Sequence, residues 1–229
     1  MAEISRFVPV SDSRPDDAPW PAAVWPVPAG TVLRIRDVSL SLAESADAPA
    51  LFEALDHDAV WAHVKGRPVS PDGWVAALDA APLIGRTPWT VRLDGNVVGT
   101  TSFLEVSPGD ARLEIGFTTY APSVWGTIIN PACKLLLMQW AFETAHMGRV
   151  QLKTDIRNAR SQAAIAKLGA QFEGVLRRYQ RRADDTVRDT VLFSVMADEW
   201  AEVKRGLVAR VAERSGREDG NDERDSQRR

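Results

Sequence analysis

Apolar positions recur at two different periods along this chain of 229 residues, and the switches between them mark out its elements. From Thr31 to Val38, Val32, Arg34 and Arg36 alternate with Leu33 and Ile35, which predicts a first strand. Residues 44–55 and 70–80 read as two short helices. Asp58 to Trp61 and Gly66 to Pro68 lie in the connection between them, and Ser70-Pro71 is a helix start with proline at the first position. Residues 89–93 and 97–106 form a hairpin about Asp94-Gly95-Asn96, where Asp-Gly supplies the positive φ of a tight turn. A turn at Ser107 to Asp110 leads into a strand over 111–120. Asn130-Pro131 then opens a helix to about Met147, closed by Gly148; its nearly all-round apolar surface predicts burial against a sheet. Val150 and Leu152 alternate with Gln151 and Lys153 in a strand over 149–155. A helix over 160–168 stops at Gly169, strands follow at 171–181 and 187–196, and a last helix runs from Asp198 to about Ala212. The total is an α/β domain built on a mixed sheet of about seven strands.

Composition narrows this without changing it. Residues 1–30 are Pro-rich and lack either period, so they read as an irregular leader with Trp20 and Trp25 as anchors. Residues 31–200 form the folded domain and 201–212 a helical extension. The heavily charged stretch 213–229 is expected to be a disordered tail. A net charge of −3 gives no footprint for nucleic acid or anionic lipid. The longest apolar run is too short to span a bilayer, and no secretory leader is recognisable. Cys133 is the single cysteine, which excludes an intrachain disulfide and a thiolate cluster and fits a cytoplasmic protein. His57, His63 and His146 lack ligand spacing, so no metal is expected.

The chemistry concentrates in two places. Ser123-Val-Trp125-Gly126-Thr127-Ile128-Ile-Asn130 joins a strand to a helix N-terminus, where backbone N–H groups without intrahelical partners and the helix dipole favour an anion. Asn158-Ala-Arg-Ser161 follows 28 residues after Asn130 and opens the next helix, which runs to Lys167-Leu-Gly169. Together, in this order, they point to a phosphate-bearing cofactor. Lys134, one turn into the first helix, is either a phosphate partner or a solvated lysine.

Several stretches carry a family likeness: Leu113-Glu114-Ile-Gly-Phe117, Trp125-Gly-Thr-x-x-Asn130-x-x-x-Lys134, Arg149-Val-x-Leu-Lys-Thr-Asp155, Asn158-x-x-Ser161 to Gly169-Ala, Glu173-Gly-Val-Leu-Arg177, Arg188-Asp-Thr-Val191 and Glu199-Trp200. From about Val32 to Trp200 the chain resembles GNAT N-acetyltransferases, in particular their RimJ/RimL-like branch. The resemblance implies a mostly antiparallel seven-stranded sheet with a central splay and helices on both faces. It also implies acetyl-CoA, or a longer acyl-CoA, bound where strands 111–120 and 149–156 part, and a primary-amine acceptor that is a small molecule or a protein N-terminus. Members of this branch are often dimers, so a homodimer is an expected state. The diphosphate loop of the family falls on 123–128, where Gly126 matches while Ser123 and Ile128 depart from its pattern.

On this resemblance the backbone N–H groups of Phe117, Thr118 and Thr119 hold the cofactor and the thioester carbonyl, and Trp125, Gly126, Thr127, Ile128 and Asn130 form the diphosphate cradle. Asn158 either bonds the pantetheine arm or caps the following helix. Glu114 is the expected base, with Glu105 and Glu173 as alternatives. Many members place a tyrosine acid where this chain has Ile165. Ser161 is therefore the hydroxyl left to meet the sulfur, and Tyr120 and Tyr179 are the fallback acids. Cys133 reads as a buried small hydrophobe, and Trp61 and Trp74 as acceptor-site walls. The altered loop and the missing tyrosine keep a second function open, a GNAT-like module that binds acyl-CoA or a partner without turnover.

Overall fold

The computed structural model describes residues 8–9, 11, 19 and 21–226, with side chains through Glu213; Trp20 lies outside them. The elements are β1 (Val32–Ile35), β2 (Val38–Leu42), α1 (Ala48–Leu55), α2 (Asp58–Trp61), α3 (Pro71–Asp79), β3 (Thr87–Leu93), β4 (Asn96–Ser107), β5 (Arg112–Tyr120), α4 (Ile129–Gln139), β6 (Arg149–Asp155), α5 (Ala159–Ala166), β7 (Gln171–Arg181), β8 (Val187–Met196) and α6 (Trp200–Ser226). One sheet holds all eight strands in the order β1-β2-β3-β4-β5-β6-β8-β7, and only β5 and β6 run parallel.

The strand count corrects the expected seven. The stretch read as one strand is a hairpin, β1 and β2, turning through Arg36 and Asp37 with Ile35 opposite Val38. Arg36 takes a left-handed φ of 52°. The turn holds no glycine or asparagine, so nothing in its composition announces it. The hairpin between β3 and β4 does carry that signal, and both Asp94 and Gly95 have positive φ.

Each face of the sheet carries its own layer of helices. On one face α4, α5 and α6 cover the main core, with Leu135, Leu137, Met138, Ile165, Val203 and Leu207 packed against Leu113, Ile115, Val150, Leu152 and Val195. Lying between the sheet and α6, α4 buries nearly its whole circumference. It starts at Ile129, so Pro131 is its third residue rather than its first. It ends in a π-turn over residues 140–144, where Ala145 N–H donates to the Trp140 carbonyl. The stop comes from His146, left-handed at φ 55°, ahead of the expected Gly148. Trp25 anchors the leader onto this core through Phe103 and Trp140, at ring separations of 6.1 and 5.9 Å.

On the other face α1, α2 and α3 form a smaller cluster in which Leu51, Leu55, Trp61, Trp74 and Leu78 pack together and reach Phe117 and Trp125. Trp74 is core here, not an open wall. Ser70 caps α3 by accepting the Gly73 N–H at 3.0 Å. The backbone of α6 stays helical past the end expected near Ala212, and Val211 is its last residue in the core. Among the described residues no helix is long and apolar enough to cross a membrane.

Candidate active site

β5 and β6 pair over only three positions, Arg112 with Arg149, Leu113 with Val150 and Glu114 with Gln151. Beyond Glu114 they part. β6 stays paired with β8 as far as Asp155, and β5 stays paired with β4 as far as Tyr120, so each wall of the gap is held from behind. A bulge in β5 accompanies the parting. Thr100 faces Thr119 and Ser102 faces Gly116, which leaves Phe117 and Thr118 together opposite Thr101. Phe117 sits at φ 47°, a conformation costing a non-glycine residue about 1 kcal/mol or more. A bulge bends its strand and tightens the local twist, which turns this end of β5 away from β6. Phe117, Thr118 and Thr119 thus lie on one wall of the gap.

Behind that wall is Lys134, only 5% exposed. Its Nζ donates to Thr118 Oγ1 at 3.1 Å, and Thr118 Oγ1 also bonds Thr101 Oγ1 at 2.8 Å. Burial pulls the Lys134 pKa down to about 8, although Cys133 and Glu114 favour its charge. Lys134 is therefore neither solvated nor directed at phosphate through the loop. The side chain turns inward to the bulge, because one turn into α4 its position faces β5.

Glu114, at the root of the gap, is 6% exposed. Its Oε2 lies 2.8 Å from Lys153 Nζ, which also pairs with Glu105 and donates to Tyr179 at 3.0 Å. Gly116, two residues on, leaves the space its carboxylate occupies; a Cβ there would sit 2.7 Å from Glu114 Oε1. Burial raises the Glu114 pKa more than Lys153 lowers it. Two carboxylates share one ammonium, so Glu114 gives up its proton less readily while Lys153 stays charged. The alternatives are committed elsewhere. Glu173 takes both Arg149 Nη groups and the Ser194 hydroxyl, and burial opposed by Lys153 leaves Glu105 below its ordinary pKa.

The loop expected to hold a diphosphate has several of its amides engaged within the protein. Trp125 N–H donates to the Pro122 carbonyl at 3.2 Å, Thr127 N–H to the Val124 carbonyl at 3.4 Å and Ile129 N–H to Thr127 Oγ1 at 3.3 Å. An anion gripped by the Trp125 and Thr127 amides would have to exchange those bonds. Gly126 has a left-handed φ of 82°, and the space a Cβ would enter there is open. Trp125 Nε1 donates to the Tyr120 carbonyl at 2.8 Å, and Arg160 lies over the indole at 4.3 Å from its centroid. The loop and the start of α5 therefore meet through this pair. Asn158 Oδ1 accepts the Ser161 N–H at 3.0 Å, so capping occupies its carbonyl. Ser161 is half-buried on the first turn of α5, while Ile165 is buried in the core.

Phe117, Thr118, Thr119, Lys134 and Glu114 thus gather around the gap, with Trp125 and Ser161 on the two elements beyond it. Among the described residues no recorded contact joins Ser161 to Glu114. The Tyr120 hydroxyl and the Cys133 thiol are buried together; burial pushes the tyrosine up and the thiol to about 12, which suits neither to proton transfer. Tyr179 is exposed beside Lys153. Sequence reasoning missed Lys153, Arg160 and Arg86. The alternation of β6 did place Lys153 opposite Leu152; nothing local marked the other two. The gap suits an extended, narrow arm flanked by backbone edges, and the open, left-handed Gly126 suits close approach of a phosphate.

The sequence profile of the acetyltransferase (GNAT) domain matches residues 37–171. A protein from T. thermophilus assigned as an acetyltransferase is 36% identical, with a TM-score of 0.74 over 82% of this chain and 99% of that one. Mycobacterium smegmatis RimJ, solved in complex with CoA-disulfide, is 25% identical, with a TM-score of 0.69 over 85% of this chain and 98% of its own. The uncharacterized N-acetyltransferase p20 of Bacillus licheniformis is 27% identical over 111 residues, 48% of this chain and 61% of that protein, so the match spans less than two thirds of that relative. The profile match covers more than half of the sequence and falls on the sheet that holds the gap: this chain belongs to the GNAT acetyltransferase family.

Proposed function

We propose that this chain is an acyl-CoA-dependent N-acyltransferase that uses acetyl-CoA to acylate a primary amine within a catalytic unit spanning 31–200. The observation that carries this reading is the gap between β5 and β6, with a bulged wall at Phe117–Thr118 and the buried Glu114 carboxylate at its root. A thioester held there supplies an acyl carbon already activated toward nitrogen. The amine enters as an ammonium and must lose a proton before it has a lone pair to offer. Glu114, with its proton affinity raised by burial, takes that proton directly or through a water. The C–N bond then forms as the C–S bond breaks, with the electron pair of the latter leaving on sulfur. Backbone N–H groups of Phe117, Thr118 and Thr119 hold the carbonyl oxygen. The second nitrogen proton is released as the amide forms and ends on the departing thiolate, toward which Ser161 presents a hydroxyl. Trp125, Gly126, Thr127, Ile128 and Asn130 line the diphosphate end, with Asn158 beside the arm.

The likeness to RimJ, solved in complex with CoA-disulfide, supports the RimJ/RimL-like branch and coenzyme A as the carrier; an acceptor that is a protein N-terminus or a small amine, and a homodimer, belong to the same reading. The lone buried Cys133 supports a cytoplasmic setting. One observation favours a second reading, a module that binds acyl-CoA without turnover: the Trp125 and Thr127 amides are engaged within the loop.

Free-thiol release from acetyl-CoA across a panel of primary amines, run beside calorimetric titration of coenzyme A, tests both. Turnover on at least one amine is expected, and Glu114→Gln should cut the rate by about 10²- to 10⁴-fold while coenzyme A still binds. Binding without turnover on any amine would favour the second reading. Absence of binding would remove both.

A further inference from the structure

Arg86 stands at the end of a 3₁₀ turn over Pro82–Ile84, brought back toward the sheet by Gly85 at φ 66° just before β3 begins. It is only 6% exposed, yet its Nε and Nη2 are buried without any hydrogen-bond partner. Burial alone lowers its pKa, to about 10, and no carboxylate opposes that shift. Buried guanidinium groups are ordinarily paired, because desolvating the charge is costly. The side chain is held by stacking, with Cζ 4.2 Å from the centroid of Phe117, the left-handed residue of the β5 bulge. Phe117 in turn meets Trp61 at 6.3 Å, so Arg86 lies on the seam between the bulged strand and the α1–α3 layer.

The two unpartnered atoms form a matched pair. Nε–H and Nη2–H are the side-on fork of arginine, spaced to meet both oxygens of one carboxylate. The same molecule shows that fork filled at another site, where Arg182 Nε and Nη2 hold the two Asp155 oxygens at 2.6 and 2.9 Å. At Arg86 the fork is built, buried and stacked, and among the described residues no carboxylate meets it. The loop expected to hold the diphosphate begins just beyond the same end of β5, so titration with coenzyme A alone is the control that separates a phosphate of the carrier from a carboxylate.

We infer that Arg86 is a specificity-determining residue that binds a carboxylate carried by a substrate at the bulge. The inference rests on the transferase reading given above and goes beyond it by naming a substrate class. Two sources present the same chemistry there: the free carboxylate of a dicarboxylic acyl group on the donor, or the carboxylate of an amino-acid-like acceptor. Stacking fixes the plane of the guanidinium and the fork fixes the direction of the anion, so a neutral isostere leaves two buried donors unpaired.

Calorimetric titration of the full chain with succinyl-CoA, acetyl-CoA and coenzyme A forms the donor arm. The acceptor arm titrates an α-amino acid and its carboxamide onto the coenzyme A complex, with thiol release followed for every pairing. One arm is expected to favour the carboxylate by roughly 10- to 100-fold, the range for a charge-assisted hydrogen bond. Arg86→Met keeps an apolar side chain on Phe117 and should abolish that preference while coenzyme A still binds. Arg86→Lys, which keeps a charge without the fork, should recover only part of it. Indifference to the carboxylate in both arms, with coenzyme A bound normally, overturns the inference and leaves the transferase reading standing. A preference that survives in Arg86→Met also overturns it, since another group would then be the reader. Failure to bind coenzyme A at all overturns both. If Arg86→Met does not fold, the two wild-type arms and Arg86→Lys still decide.

Discussion

Lys134 should make the stability of this protein rise with pH in a window where most lysines are silent. The unfolded chain releases that proton near 10.5 and the folded one near 8. Burial is the main cause, and it outweighs the support Cys133 and Glu114 give the charge. Below pH 8 both states are protonated and the folded state bears the full cost of a buried ammonium. Between 8 and 10.5 the unfolded chain binds more protons than the folded one, so stability increases with pH; above 10.5 the gain is complete. At about 1.4 kcal/mol for each pH unit between the two values, the upper bound is about 3 kcal/mol, most of which falls between pH 7 and pH 10. Urea unfolding of the wild type and Lys134→Met at several pH values in that range isolates the term. Other titrating groups cancel in the difference, and the lost bond to Thr118 adds only a constant offset. The wild type should gain on the order of 2–3 kcal/mol on the variant from pH 7 to pH 10. Parallel curves would show that Lys134 titrates as in water and would refute the inward placement described here.

Two further substitutions test the walls of the gap. Gly99→Ala would place a Cβ 2.5 Å from the Thr119 carbonyl and 2.6 Å from Tyr120 Cδ1. Because the first of these is backbone, β4 and β5 must separate beside the bulge, and we expect a loss of about 1–3 kcal/mol in urea unfolding with weaker coenzyme A binding in titration. Asn158→Ala removes the cap of α5 and should cost about 1 kcal/mol by the same unfolding assay, while Asn158→Asp, which keeps the acceptor, should recover most of it.

How much of this was legible from sequence differs from element to element for physical reasons. The β3–β4 hairpin announces itself because Asp94-Gly95 supplies the positive φ its turn needs, and the α3 start because Ser70-Pro71 is both cap and first residue. β5 to β8 follow from alternation, and their order along the chain carries the family likeness. The β1–β2 turn was hidden because Arg36 adopts a left-handed conformation without glycine. The bulge at Phe117–Thr118 was hidden because it depends on the register with β4, which is not a local property. A lysine near a helix start looks solvated unless the face it shares with β5 is known, so the burial of Lys134 needed the fold. Arg86 is separated from Phe117 by more than two strands of sequence, and no spacing rule links them. The loop over 123–130, expected to hold a diphosphate, shows the limit from the other side: its composition promised free amides, and local turns engage several of them.

The claim on which the account rests is that coenzyme A lies in the gap between β5 and β6. Amide hydrogen exchange with and without coenzyme A measures this most directly. Protection should appear at residues 115–120 and across the loop 123–130, with β1 and β2 unchanged. Saturating coenzyme A that leaves 115–120 unprotected, or protects only surfaces away from the gap, would contradict the assignment.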